Sequence, residues 1–414
     1  MTSFRPVAAA PTVEFKQWQP SAWALIAIGA GAFGVSLGIV FSLLWTRGPL
    51  GPYEYHLWKW EANNLLENAV ARLGIGPDPG DAEGLAAVQS YFKLTSQLRA
   101  QNENGTPDLN LIDALASERA AYENNVERLV ERYIGEAITS AGLQRRLPLF
   151  TGVEVTWPPV DFELTSPPRL LVRSPRTVIK RDGDTLLKNG LTLREIETIE
   201  RRADSEKNVS LVISIGGLAA YPAIVRDDRS FDSLLDTASH EWIHHYLAFF
   251  PLGEQWGKGG DAITLNETTA DIAGREIAGL IRKRHPISLP AGEDGRAPTA
   301  PAPTVDFSKE MQAIRLQVDA LLADGRVAEA EALMEEKRLF LASQGIAIRK
   351  LNQAYFAFYD NYATGPASTN PIGPKIEEVW RLTKDVGLFL REMREVIGVR
   401  DLDATVARLQ AARP

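Results

Sequence analysis

The hydrophobic pattern of the chain begins with one long apolar stretch near the N-terminus. The segment SAWALIAIGAGAFGVSLGIVFSLLW at residues 21–45 contains no charged residue. An apolar α-helix of about 20 residues or more can cross the roughly 30 Å hydrocarbon core of a bilayer. Trp23 and Trp45 lie near its two ends, where membrane interfaces favour aromatic side chains. We therefore predict a single-pass transmembrane anchor at residues 21–45, preceded by an N-terminal tail at residues 1–20.

The flanks of this segment indicate how it is processed and oriented. A cleaved signal peptide would have a shorter apolar region followed by a small-residue cleavage site, and no such site follows Leu44. Arg5, Lys16 and the terminal amine precede the segment, whereas Arg47 and Lys59 follow it. Because positively charged flanks stay on the cytoplasmic side, this small excess favours an extracytoplasmic position for the rest of the chain.

The pattern after the anchor is helical. Apolar positions recur at a spacing near 3.6 residues and predict three helices, roughly Tyr53 to Leu73, Ala82 to Gln101 and Leu109 to Ala141. Asp108 is placed to cap the third helix, because its side chain can accept hydrogen bonds from free backbone N–H groups. We interpret residues 52–145 as a helical stalk or N-terminal helical domain.

A different pattern occupies residues 149–285. Short β-branched runs bounded by Pro and Gly predict strands at VEVTW, RLLVRSP, VSLVISIGG and AAYPAIV, with a helix at LTLREIETIERRADSE. Two further helices are predicted at Ser230 to Phe250 and Asn266 to Lys283. Strands followed by helices are typical of an α+β domain, here a small mixed sheet packed on the helix that begins at Ser230.

The C-terminal third is helical again. It is separated from the α+β domain by residues 286–306, a Pro-rich loop with five prolines between residues 286 and 304. Residues 307–414 form a C-terminal helical region expected to pack on that domain. Its predicted helices run from Phe307 to Gln344, Gly345 to Tyr362 and Pro374 to Val396. The fold class predicted for the whole chain is α+β, predominantly helical.

Composition and charge narrow the chemistry. A net charge of −8 argues against binding to nucleic acid, because neutralising phosphates requires a basic surface. The chain has no cysteine, which excludes disulfides, thiolate metal ligands and a cysteine nucleophile. There is also no Gly-rich phosphate-binding motif and no Gly-x-Ser-x-Gly nucleophile motif. Any bound metal must therefore be held by His, Asp or Glu.

Three of the five histidines of the chain lie close together in the helix that begins at Ser230, in the stretch HEWIHH. His240 and His244 are four residues apart, so both imidazoles leave the same helix face and can share one small cation. Glu241 is placed to reach a water on that cation, as a general base would. His245 falls outside this ligand spacing, and we expect it beside the site rather than in it.

A second group of residues, NETTADIAGREIAG, follows 22 residues after His244. Glu267 and Asp271 are four residues apart and share a helix face. Ala270 and Gly274 are small enough to let this helix approach the first one closely. A catalytic zinc needs three protein ligands and an open position for water, and no third His follows HEWIH at the short distance that metzincins require.

HEWIH followed by NETTAD resembles the gluzincin zinc peptidases, the thermolysin-like and aminopeptidase class. The resemblance covers about 60 residues, 216–276, and implies one Zn²⁺ per chain. It also implies roles for five residues: zinc ligands at His240, His244 and Glu267, a general base at Glu241, and at Asp271 an acceptor that orients a ligand histidine. Asn266 matches the Asn-Glu pair of aminopeptidase relatives, and the resemblance places it, like Asp271, beside the ligands without binding the metal itself.

Two weaker resemblances concern the substrate. GGLAAYPAIV at residues 216–225 resembles the cleft-lining edge strand of this class, which pairs with an extended peptide; the alternative is an ordinary strand and turn. LNQAYFAFYDNYA at residues 351–363 resembles the C-terminal helix of some predicted bacterial aminopeptidases. If that helix returns to the site, Tyr355, Tyr359 or Tyr362 can donate a hydrogen bond to an oxyanion; the alternative is an aromatic face packed in the core.

These observations predict a membrane-anchored zinc metallopeptidase that acts on a peptide or protein substrate. The bilayer contact would be made by residues 21–45. Cleavage from the N-terminus and cleavage of internal bonds both remain open, because the sequence lacks a glutamate-rich motif for a free substrate amine comparable to GxMEN. The alternative is a non-catalytic membrane-tethered scaffold with a structural or relic metal site.

Overall fold

The computed structural model describes residues 50–70, 80–146, 154–258, 261–295 and 305–412. The predicted tail at residues 1–20 and the predicted anchor at residues 21–45 lie outside these ranges. Within them, none of the helices combines the length and the apolar composition needed to cross a bilayer. Residues Pro49–Pro414 belong to one compact unit.

Helices make up most of the described chain, as predicted for a predominantly helical α+β protein. After a 3₁₀ helix at Gly51–Tyr53, the α-helices are α1 (Leu57–Val70), α2 (Gly80–Glu103), α3 (Leu109–Ser140), α4 (Leu193–Ala203), α5 (Phe231–Leu247), α6 (Pro251–Glu254), α7 (Ala262–Arg284), α8 (Phe307–Ala323), α9 (Val327–Ser343), α10 (Gln353–Tyr359), α11 (Ile372–Thr383), α12 (Val386–Met393) and α13 (Val399–Ala411).

The strands of the described residues are short and form three small sheets. They are β1 (Arg145–Arg146), β2 (Glu154–Val155), β3 (Phe162–Leu164), β4 (Arg169–Pro175), β5 (Asp184–Leu187), β6 (Asn208–Ser214), β7 (Gly217–Leu218) and β8 (Ala223–Val225). One sheet pairs β1 with β2, and a second has the antiparallel order β5-β4-β6. The third has the order β3-β8-β7 and is mixed, because β3 runs parallel to β8 and β7 antiparallel to it.

The mixed sheet packs on α5, as the sequence predicted. Ala223 and Val225 of β8 lie in the same buried apolar cluster as Leu234 and Trp242 of α5. The indole N–H of Trp242 donates a hydrogen bond to the carbonyl of Pro158, 2.9 Å away, which satisfies its only polar group inside the core. The face of α5 opposite this sheet is therefore free to present other side chains.

The antiparallel sheet is covered on both sides. Side chains alternate along β4 with a period of two, so Leu170 and Val172 pack against Phe358 of α10. Leu171 points to the other side and packs against Ile199 of α4. The sheet is thus a layer between α4 and α10.

The largest apolar cluster joins segments that lie far apart in the chain. It contains Val88 of α2, Leu129 of α3, Trp242 of α5, Ile277 of α7 and Phe389 of α12. Helices α2 and α3, which were expected to belong to a stalk, therefore pack into the same core as the α+β region, and part of the C-terminal region completes that core.

The helices of the C-terminal region differ in number and length from those predicted. The single helix predicted from Phe307 to Gln344 is two helices, α8 and α9, because Gly325 adopts the left-handed conformation at φ +74° and ends α8. The helix predicted from Gly345 to Tyr362 is only α10. The helix predicted from Pro374 to Val396 is broken at Lys384, at φ 50°, and α13 was not predicted. The described part of the predicted loop at 286–306 contains neither helix nor strand.

Candidate metal centre

Helix α5 carries the first part of the site. Ser230 begins the helix by accepting a hydrogen bond from the backbone N–H of Ser233. His240, Glu241 and His244 then follow on the helix, and both histidines are partly buried. Glu241 is almost fully buried, with 6% of its surface exposed.

Helix α7 lies directly against α5 and carries the second part. Gly274 makes this approach possible, because a Cβ atom at that position would lie 3.0 Å from the backbone nitrogen of His240 and 3.1 Å from its Cα. Ala270, one turn earlier, is fully buried. The prediction that these small residues allow the two helices to approach closely is confirmed. The close contact brings Glu267 over the histidine face of α5.

Three ligand atoms converge between the two helices. The Nε2 atoms of His240 and His244 are 3.0 Å apart, and Oε2 of Glu267 lies 3.4 Å from the first and 3.6 Å from the second. In a tetrahedral zinc site, bonds of about 2.0–2.2 Å separate neighbouring ligand atoms by about 3.3–3.6 Å. These three residues can therefore hold one metal ion after a small separation of the two imidazoles.

The donor atoms also have unused bonding capacity. Oε2 of Glu267 is buried and accepts no hydrogen bond from the described residues, a costly state for a carboxylate oxygen unless a cation is nearby. Burial alone would raise the pKa of Glu267, but His244 and His240 beside it lower the pKa below its ordinary value. The carboxylate is thus held in the ionised form that binds metals.

Asn266 fixes the orientation of one ligand. Its Oδ1 lies 2.8 Å from Nδ1 of His244, and the side chain is buried. Since an amide oxygen only accepts, Nδ1 carries the proton and Nε2 presents its lone pair to the centre. This outer hydrogen bond is a common feature of metal-binding histidines. The sequence had assigned such a role to Asp271; its carboxylate is instead hydrogen-bonded to Arg275 at 2.8 Å and Thr364 at 3.4 Å.

The side chain of Glu241 lies against Gly217 of β7. A Cβ atom at Gly217 would lie 2.9 Å from both Cγ and Cδ of Glu241, so any side chain at residue 217 would have to displace Glu241. Burial, reinforced by Glu267 and opposed by His244, raises the pKa of Glu241 to about 8. The group therefore has a higher proton affinity than an ordinary glutamate.

The three tyrosines of the 351–363 segment have different surroundings. Tyr362 and Tyr359 line the cavity above the ligands, whereas Tyr355 packs in the apolar clusters around α10. Thr268 of α7 holds the Tyr362 segment in place: its hydroxyl donates to the carbonyl of Asn361 at 3.1 Å and accepts from the N–H of Ala363 at 2.9 Å. The segment therefore does return to the site.

The environment of Tyr362 keeps its hydroxyl protonated. Burial and the carboxylates of Glu267 and Glu241 raise the pKa of Tyr362 well above its ordinary value. Its ring lies 6.4 Å from that of His240, measured between centroids. A protonated phenol in this position is a hydrogen-bond donor for an anion in the cavity.

His245 lies beside the site, as expected. Its Nε2 is 2.7 Å from the carbonyl oxygen of Ala220, and its ring packs edge-on against Tyr221. Burial lowers the pKa of His245 to about 4, so it is neutral near pH 7 and donates to that carbonyl. It anchors α5 to the chain between β7 and β8.

A cavity of about 880 Å³ opens onto the ligands. One wall is the chain at residues 216–219, which includes β7, the edge strand of the mixed sheet. The other walls come from α5, α7, the Tyr359–Tyr362 turn and Trp256, whose side chain is 47% exposed. The segment predicted as one edge strand at residues 216–225 is two strands, of which only the short β7 lies at the edge, whereas β8 is central.

Some contacts of the site were not foreseen in the sequence. The contact between Gly217 and Glu241 depends on how β7 packs across α5, and the contact between Thr268 and the Tyr362 segment spans 93 to 95 residues. The only signal for Gly217 was its place in a Gly-Gly pair before a strand. No known protein family, curated protein or solved structure matches the chain.

Proposed function

We propose that the protein is a zinc-dependent peptidase of the gluzincin type. The observation that carries the proposal is the convergence of two imidazole nitrogens and one carboxylate oxygen beside a buried glutamate, at the floor of a cavity with an edge strand in its wall. Each part is what peptide hydrolysis by a metal site needs: ligands, a base and a surface that can bind an extended chain.

Zinc is the metal that suits this donor set best. Two imidazoles and one carboxylate form a three-residue ligand set, which leaves one position open. A zinc ion held there supplies Lewis acidity, which polarises a carbonyl oxygen and makes water a nucleophile near neutral pH.

Glu241 acts as the general base and then as the general acid. It accepts a proton from the attacking water and delivers it to the amine that leaves when the C–N bond breaks. Its raised pKa suits both steps, because a carboxylate with a pKa near that of the solution exchanges a proton readily in either direction.

The remaining cavity residues bind and orient the substrate. The outer edge of β7, opposite its pairing with β8, offers backbone groups to an extended peptide. Tyr362 donates a hydrogen bond to the negative charge that develops on the carbonyl oxygen. Asn266 keeps His244 in the tautomer that binds metal.

The paired charges in the cavity favour cleavage of internal bonds over removal of N-terminal residues. Besides Glu241 and Glu267, the carboxylates in its lining are Asp236 and Asp271. Asp236 is paired with Arg282 at 3.0 Å and Asp271 with Arg275 at 2.8 Å. Each already contacts an arginine, with Arg282 shared between Asp236 and Asp232 at 3.7 Å, and these arginines compete with a substrate ammonium group for the carboxylates. With the anchor at residues 21–45, such an endopeptidase would act at a membrane, on its extracytoplasmic side.

The test is Glu241→Gln in the full chain reconstituted with zinc. We expect the variant to bind one zinc per chain, like the wild type, and to lose peptide hydrolysis by roughly 10²–10⁴-fold. Elemental analysis gives the metal content, and hydrolysis of a peptide mixture by mass spectrometry gives the activity.

Two further variants make the test specific. His240→Gln should lose the metal as well as the activity, whereas His285→Gln should keep both, because His285 is stacked on Tyr133 and bonded to Glu136 instead. Full activity of Glu241→Gln would overturn the proposal. Zinc binding without hydrolysis in the wild type would favour the non-catalytic scaffold.

A further inference from the structure

A second cavity adjoins the metal-site cavity. It measures about 450 Å³ and lies at the ends of β4 and β6, with Arg169, Arg226 and Asn189 among its lining residues. Ser214 and Ile215 line both cavities. A ligand lying along the wall of the first cavity can therefore reach the second.

The arginines around this second cavity differ in whether they have a carboxylate partner. Arg226 is paired with Asp228, with Nε 2.7 Å from Oδ1 and Nη2 bonded to Oδ2. Arg349 nearby is paired with Glu200. Arg169 has no carboxylate partner among the residues that the structure describes; its Nη1 donates to the hydroxyl of Ser214 at 3.0 Å.

The charged groups nearest Arg169 are already paired with each other, Arg226 with Asp228 and Arg349 with Glu200. Arg169 is partly buried, and its pKa is lowered by that burial and by the charges of Arg226 and Arg349. A partly buried cation that has no carboxylate partner is stabilised when an anion binds to it. A guanidinium group suits a carboxylate in particular, because its planar N–H groups can form two parallel hydrogen bonds.

The second cavity lies only a few residues along the wall from Glu241, the proposed base. Gly217 contacts Glu241, and Ser214 comes three residues earlier in the same wall. Three residues of extended chain span at most about 10 Å. A peptide that lies along this wall with its cleaved bond beside Glu241 would bring the second or third residue from that bond to Arg169.

We propose that Arg169 binds a carboxylate of the substrate, two or three residues from the cleaved bond. The carboxylate belongs either to an Asp or Glu side chain or to the C-terminus of the peptide. The role of Arg169 in cleavage rests on the proposed peptidase function. Its binding of a carboxylate can be measured without catalysis.

The experiment compares hydrolysis and binding of one peptide pool, a tryptic digest of a whole proteome. In hydrolysis by the zinc-loaded full chain, we expect cleavage sites to be enriched in Asp or Glu two or three residues away, or to fall two or three residues before a C-terminus. The first pattern identifies a side-chain carboxylate and the second a terminal one. Arg169→Gln should reduce the preference roughly tenfold, because a hydrogen-bonded charge pair is lost.

Binding is measured with the Glu241→Gln chain immobilised and exposed to the same pool, untreated or with its carboxylates methyl-esterified. We expect retention of the untreated peptides over the esterified ones, and loss of that difference in the Glu241→Gln, Arg169→Gln double variant. Arg169→Lys, which keeps the charge, should retain a weaker preference. Arg400→Gln removes one positive charge from an exposed position on α13 and should change nothing.

The results of these experiments distinguish the role of Arg169 from the proposed peptidase function. Hydrolysis with no carboxylate preference, or with the same preference in Arg169→Gln, overturns the role of Arg169 and leaves the peptidase standing. Loss of retention in the double variant without hydrolysis by the wild type supports the carboxylate site and removes the peptidase. Equal retention of untreated and esterified peptides overturns the site in either case.

Discussion

The position of Glu241, the proposed base, depends on the absence of a Cβ atom at Gly217. The Glu241 side chain occupies the space where a Cβ at residue 217 would lie, and burial there raises its pKa to about 8. The neighbouring Gly216 is different, since the nearest atom to its hypothetical Cβ is the hydroxyl of Thr237 at 4.0 Å. The two adjacent glycines thus form a natural pair of test and control.

We expect Gly217→Ala to displace Glu241 and to lower kcat by roughly 10²-fold, because a base moved by about 1 Å loses its reach to the water. Zinc content should be unchanged, since the metal ligands do not touch Gly217. Gly216→Ala should keep its activity within a few-fold. Equal activity of both variants would show that the Glu241 position seen here is not the active one. Steady-state kinetics and elemental analysis of the two purified variants make the comparison.

At the residue scale, the sequence predicted those parts of the site that lie within one helix. The spacing of His240, Glu241 and His244 follows from helical geometry, whereas the assignment of Glu267 came from the family resemblance. The position of Asn266 beside the ligands was implied only by the family resemblance, and the contact of Gly217 was not predicted. They depend on the rotation of α7 against α5 and on the path of β7, which are set by packing across the whole core.

At the scale of elements, the site depends on the distance between α5 and α7. Gly274→Ala would place a methyl group against the backbone of His240, which cannot move aside as a side chain can. We expect the helices to separate, with a loss of about 1–3 kcal/mol in the free energy of unfolding and weaker zinc binding. Denaturant unfolding and zinc titration measure the two effects.

Gly279 on the same helix is the matched control. No atom lies within 4 Å of a Cβ built there. Gly279→Ala should therefore leave zinc binding unchanged and stabilise α7 by about 0.5–1 kcal/mol, because alanine loses less backbone entropy in a helix. Tight zinc binding by Gly274→Ala would show that the helix spacing does not control the site.

A second contact between elements joins α3 to the mixed sheet. β3 is an edge strand, and carboxylates of α3 replace a neighbouring strand on its open side. Glu127 accepts a hydrogen bond from the N–H of Leu164 at 2.7 Å, and Glu131 accepts one from Phe162 at 3.1 Å. Burial, with Asp161 and Glu163 adding to it, raises the pKa of Glu131 to about 8 against the effect of that hydrogen bond.

The sign of the resulting pH dependence follows from proton linkage. Glu131 binds its proton more tightly in the folded chain than in the unfolded one, so its ionisation lowers stability as the pH rises from about 5 to about 8. Glu131→Gln cannot ionise and keeps an acceptor for Phe162. We expect it to match the wild type near pH 5 and to exceed it by on the order of 2 kcal/mol near pH 9.

Denaturant unfolding of the metal-free proteins at both pH values measures this difference. Glu118→Gln, at an exposed position of the same helix, should show no pH-dependent gain. A Glu131→Gln variant that is less stable than the wild type at pH 9 would show that the ionised carboxylate stabilises the contact with β3.

Helices could be predicted from the sequence where apolar periodicity and a capping residue indicated the same bounds. The helices at Leu109–Ser140 and Phe231–Leu247 have strong apolar periodicity and side-chain caps, and the sequence placed them within a few residues. The breaks at Gly325 and Lys384 were missed because periodicity continues across them. Both residues adopt positive φ angles, which for Lys384 is set by the packing of α11 and α12 and not by its own preference.

At the scale of the whole molecule, the metal ligands contribute little to the core. The buried apolar cluster around Trp242 and Ile277 joins six or more helices independently of the three ligands. Zinc that binds only the folded chain adds stability by mass action, about 3–4 kcal/mol at 100 to 1,000 times its dissociation constant. Removing it should lower the stability of the fold without abolishing it.

We therefore expect a chelator to lower the Tm by on the order of 5–10 °C and to leave the far-UV circular dichroism at 25 °C unchanged. Activity should be lost and should return with added zinc. Unfolding on chelation would instead indicate a structural metal and favour the non-catalytic scaffold. Thermal scans with and without chelator, at equal protein concentration, give the result.

The cavity walls come from widely separated parts of the chain, and this limits how the protein can be shortened. A fragment ending at residue 285 would contain every metal ligand but would lose Tyr359 and Tyr362 from the cavity. It would also expose to water the apolar surfaces that α10 and α12 now cover. Truncation to the motif-bearing region would thus yield an aggregating product, and the C-terminal helices belong to the minimal working unit.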